Sequence, residues 1–101
     1  MGYAHGLSWR FEAELIEWRG PAPFVFAPLP AELFDEVKEA ARGLMYWGQI
    51  PVIARIGETE FDTAMWPKDG RFLLPIKLAV QRAERIDVGD TVIAEVELPG
   101  L

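Results

Sequence analysis

Trp9, Phe11, Ala13 and Leu15 alternate with Arg10, Glu12 and Glu14, the period of a strand with one face in a core and the other in water. At Ile16 the alternation changes content: Ile16 and Trp18 take the parity of the charged residues, and Glu17 takes that of the core. This predicts either a bulge or a strand that leaves one layer and enters another, as strands of small barrels do. Arg19 to Pro23 reads as a turn, Phe24 to Ala27 as a short apolar strand stopped by Pro28-Leu29-Pro30. A helix is expected over Ala31–Arg42, with Leu33, Phe34, Val37, Ala40 and Ala41 as its buried stripe and Gly43 as the residue that ends it. Its acids lie toward the start and Lys38 and Arg42 toward the end, the order the helix dipole favours.

Leu44-Met45-Tyr46-Trp47-Gly48 places four large apolar residues where turn chemistry is expected. Two readings stand: a loop folded back over the core, or the aromatic lip of a binding groove. From Ile50 to Ile56 a strand carries Ile50, Val52, Ala54 and Ile56 on one side, and Pro51 marks its start as an edge. Gly57-Glu58 suits a two-residue hairpin turn, and Thr59 to Trp66 pairs back. Asp69-Gly70 is a second turn before Phe72-Leu73-Leu74. Pro75 cannot donate to a ladder, so that strand must end there or lie at an edge. From Ile76 the period becomes helical, with Ile76, Ala79, Val80, Ala83 and Ile86 on one face and Leu78 pointing out. After Val88-Gly89-Asp90, Thr91 to Leu98 alternates cleanly with Val92, Ala94, Val96 and Leu98 inward. The pattern predicts a mainly β domain of about six strands and two short helices.

Composition removes more functions than it suggests. The 101 residues contain no cysteine, one histidine (His5), one serine (Ser8) and no asparagine. Disulfides, thiolate metal sites and Ser-His or Cys-His nucleophilic arrangements are therefore not expected. No glycine-rich phosphate loop and no calcium-loop spacing occurs, so neither a cofactor nor a metal is expected. Glu12 and Glu14 share a strand face, which reads as a solvated surface before it reads as acid/base chemistry. A carboxylate enzyme would need a concave site with a strongly perturbed acid. Sixteen acidic residues against ten basic give a formal charge of −6, which opposes phosphate binding. No signal-peptide pattern and no membrane-length apolar run is present, and the expected location is the cytoplasm. Residues 1–8 read as a flexible extension ahead of a single domain over 9–101.

Two family resemblances rest on particular residues. Leu73 to Leu98, with Pro75, the helix from Ile76, Gly89-Asp90 and Val92, resembles the strand–proline–helix–turn–strand half of the double-split β-barrel of AbrB- and MazE-type regulators. The longer stretch from Trp9 resembles the domain of unknown function 1905 family. It matches at Phe11 to Leu15, Trp18, Leu29-Pro30, Ile56-Gly57, Trp66-Pro67, Asp69-Gly70, Leu73 to Glu84 and Val88 to Val92. The second resemblance implies a small double-split β-barrel and no established reaction.

The expected function is a non-catalytic module, monomeric or homodimeric, that binds a small molecule or protein where aromatics meet a cation: Trp18, Tyr46, Trp47, Arg55 and Trp66. The reading that competes with it puts those rings in the barrel's second layer. A DNA-binding regulator of the AbrB kind is the alternative, using Lys68, Arg71, Lys77, Arg82 and Arg85. The acidic balance argues against nucleic acid, and a carboxylate enzyme ranks third.

Overall fold

The computed structural model describes residues 7–18 and 24–99. Most of the expected N-terminal extension and the expected turn Arg19–Pro23 lie outside the described residues. Seven antiparallel strands form one curled sheet: β1 (Ser8–Glu14), β2 (Ile16–Trp18), β3 (Phe24–Pro28), β4 (Ile50–Ile56), β5 (Thr59–Lys68), β6 (Arg71–Ile76) and β7 (Thr91–Glu97). Their order is β1-β7-β4-β5-β6-β3-β2. A 3-10 turn (Ala31–Leu33) leads into helix α1 (Phe34–Ala40), and helix α2 (Leu78–Glu84) joins β6 to β7.

The outermost strands of that order are consecutive in the chain. β1 pairs with β7 and β2 with β3, and Leu15 alone separates them. The same stretch of chain thus passes from one end of the sheet to the other, which curls it into a half-barrel. Leu15 itself is buried, and both its backbone groups are held by the turn before β7. Its N–H donates to the Asp90 carbonyl at 2.8 Å, and its carbonyl accepts from the Gly89 N–H at 2.9 Å. Gly89 has φ 95°, a conformation glycine reaches without a Cβ penalty. The change of content at Ile16 is therefore a change of layer, and it adds a seventh strand to the expected six.

β5 makes a similar transfer. Thr59–Met65 pairs with β4, and Trp66–Lys68 pairs with β6. Strand prolines fall where one neighbour is missing. At Pro51 only β5 is paired, at Pro67 only β6, and at Pro75 only β3. Each missing N–H costs no ladder bond, so a proline is tolerated inside a strand that is internal elsewhere.

The core lines the concave side. Trp9, Phe11, Ala13 and Leu15 meet Val52, Ala54, Ile56, Phe61, Met65, Phe72, Leu74, Val92, Ala94 and Val96 there. Helix α1 closes it with Val37, and Ala41 just past its end is buried there too, while Phe34 stacks on Phe72 with ring centroids 4.8 Å apart. The Trp9 Nε1–H donates to Glu36 Oε2 at 2.9 Å, giving the partly buried indole its partner.

Helix α2 departs from expectation. It begins at Leu78, because Ile76 is still in β6, and Ala79 and Ala83 are exposed. Val80 is its buried residue. Beside it, Gln81 Nε2 donates to the Ile76 carbonyl at 3.0 Å, and Glu84 reaches the β4–β5 turn. Two polar tips serving strand backbone and turn thus replace the apolar stripe. Neither helix is long and apolar enough to cross a membrane.

Candidate functional site

Directly opposed residues of an antiparallel pair share a sheet face, so the register assigns the convex side. Over β1, β7 and β4 that side carries Arg10 opposite Glu95, Glu12 opposite Ile93, and Glu95 opposite Arg55. On the β5 side Arg55 faces Glu60, and the two form an ion pair at 3.1 Å. This half of the convex face is charged and mostly acidic.

The other half is apolar. Ile16 lies opposite Phe26, Phe26 opposite Pro75, Pro28 opposite Leu73, and Leu73 opposite Trp66. Trp18 lies opposite Phe24. Phe26 and Leu73 are buried although they point away from the main core. Phe26 is covered by aromatic neighbours: Phe24 with centroids 6.1 Å away, and Trp66 edge-on at 5.9 Å. Ile16, Trp18 and Trp66 stay about 40% exposed and Phe24 50%. This second apolar layer has no helix over it among the described residues. It explains why Ile16 and Trp18 break the polar alternation of the first strand.

At one side of this layer lies a hollow of about 510 Å³. Ile16, Trp18, Pro28 and Leu73 form its apolar wall, with Glu17, Lys68, Asp69 and Arg71 around them. The Lys68 ammonium sits 4.1 Å from the Trp18 ring centroid, within cation–π range. It also lies 3.8 Å from the Asp69 carboxylate, a loose pair whose acid is largely solvated. The Asp69-Gly70 turn, with φ 53° and 81°, fixes where Lys68 and Arg71 emerge, and those two residues face each other across the hairpin.

The expected aromatic set therefore falls into separate places. Trp18 lines the hollow and Trp66 belongs to the apolar layer through Phe26. Arg55 is on the charged half, paired with Glu60. Tyr46 and Trp47 form a pair of their own, edge to face at 6.2 Å, on a tight turn closed by mutual Tyr46–Gln49 backbone bonds. Trp47 there has φ 57° and is 87% exposed, while Leu44 and Met45 pack against the core. The five-residue linker thus divides: its first half covers the core and its second stands in solvent.

Of the basic set, Lys68 and Arg71 are at the hollow, whereas Lys77, Arg82 and Arg85 belong to the segment of α2. Residues missed as site candidates are Ile16, Pro28 and Leu73. Their signal was the parity of Ile16 together with the β3–β6 pairing, and only the first is local in sequence.

A family model described as "Domain of unknown function (DUF1905)" matches residues 11–96. No curated protein matches the chain.

Proposed function

The chain belongs to the DUF1905 family, and from that premise we propose that it is a non-catalytic binding module that takes a small apolar molecule in the convex-face hollow. One observation carries this reading: half of the convex face is an apolar layer with Ile16, Trp18, Phe24 and Trp66 open to solvent, beside a hollow of metabolite size. A sheet face that served only as a solvated surface would alternate apolar-in and polar-out along every strand. β1 does so, and β7 does apart from Ile93; β2 and β3 do not. In this reading the module works in the cytoplasm, as a monomer or homodimer, from the single domain over residues 9–101.

Amide chemical-shift mapping with a set of small neutral aromatic and aliphatic molecules tests it. The expected shifts cluster at Ile16, Trp18, Pro28-adjacent Leu29, and Leu73. Shifts confined to the Tyr46–Trp47 turn, or none at millimolar probe, overturn it.

A further inference from the structure

Resting on that reading of the hollow, we propose that its ligand is an aromatic monocarboxylate, with the ring against Trp18 and the carboxylate held by Arg71 and Lys68. The charge arrangement carries the argument. Arg71 lines the hollow and makes no ion pair or hydrogen bond to any described residue. The other basic residue there, Lys68, is drawn over the Trp18 ring and only loosely paired with Asp69. On a chain of charge −6, two cations whose acceptors are weak or missing, set beside an apolar wall, form a local exception to the acidic surface. A guanidinium presents parallel donors that match a carboxylate, and such charge-assisted bonds gain strength next to apolar surface.

The same residues limit the anion to a single charge. Glu17 and Asp69 also border the hollow, so its four charged side chains sum to zero before a ligand arrives. A monoanion can be accommodated beside Arg71, whereas a phosphate dianion meets two carboxylates and the acidic field of the whole chain. An aromatic body is favoured over a flexible acyl chain because Trp18 supplies a ring on the hollow's wall, with Ile16, Pro28 and Leu73 beside it. A planar partner set against that ring loses little conformational entropy on binding.

Calorimetric titration with phenylacetate, phenylacetamide and phenethylamine separates the parts. Phenylacetate is expected to bind about tenfold more tightly than the neutral amide, the worth of one charge-assisted hydrogen bond. Phenethylamine is expected to bind more weakly than either. In R71Q the preference for the acid over the amide is lost, and R71K keeps part of it. Equal binding of acid and amide to the native protein overturns the carboxylate assignment while leaving the apolar hollow standing. Tighter binding of phenethylamine overturns it in favour of a cationic ligand. Failure of all three probes at millimolar concentration overturns both the assignment and the hollow as a binding site.

Discussion

Two aromatic residues show how little residue type says about what a side chain contributes. Phe26 is 1% exposed on the convex side, wedged between Phe24 and Trp66, while Trp47 stands 87% exposed at a turn. Phe26→Ala removes a ring from a filled site and is expected to cost about 3–5 kcal/mol, despite lying outside the main core. Trp47→Ala is expected to stay within about 0.5 kcal/mol of the native protein, as surface changes do. Urea denaturation of the two variants checks both; a cost at Trp47 comparable to that at Phe26 would mean its ring is buried in solution. Neither fate was legible locally. Phe24, Val25 and Phe26 look alike in sequence, and which of them is covered depends on β5, a strand far along the chain, delivering Trp66. Tyr46 and Trp47 were recognisable as out of place in a turn, but not as separate from Trp18 and Arg55.

Between elements, the hydrogen bonds from α2 to the β4–β5 hairpin converge on one carboxylate. Glu84 accepts from the Thr59 hydroxyl at 2.5 Å and from the Glu58 N–H at 3.3 Å. Gly57, with φ 60°, lies directly against it: a Cβ there would fall 2.0 Å from Glu84 Oε1. Gly57→Ala must therefore both strain the turn and push the carboxylate off its two donors, and a loss of about 1–2 kcal/mol is expected. Glu84→Ala should absorb part of that loss, so the double variant should be less destabilised than the two single changes added together. Strict additivity in thermal or chemical unfolding would remove the carboxylate from the account. The turn itself was readable from Gly57-Glu58, as were the strands and the meaning of Pro51 and Pro75, because these depend on backbone chemistry. The packing face of α2 was not. Its short apolar period is outweighed by Gln81 and Glu84, whose partners belong to other elements.

For the molecule as a whole, the convex side is divided into an acidic half over β1, β7 and β4 and an apolar half over β2, β3, β6 and the end of β5. The division follows from a single strand crossing between layers at Leu15, and the sequence displays it only as the altered content after that residue. It also bears on the nucleic-acid alternative. Five basic residues near one another in sequence are split between the hollow and the segment of α2, and the hollow's two share it with the carboxylates of Glu17 and Asp69. No retardation of duplex DNA is expected even at low salt, where phosphate contacts are strongest. Binding at low salt that falls steeply as salt rises would reinstate a DNA-binding regulator.

The crossing at Leu15 also fixes an order of events during synthesis. β1 has its ladder partner in β7, with Ser8 opposite Glu97, and β7 is inserted between β1 and β4. As the chain leaves the ribosome, the β4–β5–β6 meander can form through its two local turns, but β1 must keep Trp9 and Phe11 waiting until β7 emerges. Such distant pairing slows folding relative to local contacts. Until β7 emerges the first strand is an unpaired, tryptophan-bearing edge, and the nascent chain is then most exposed to chaperones and to mispairing with its neighbours on the same message.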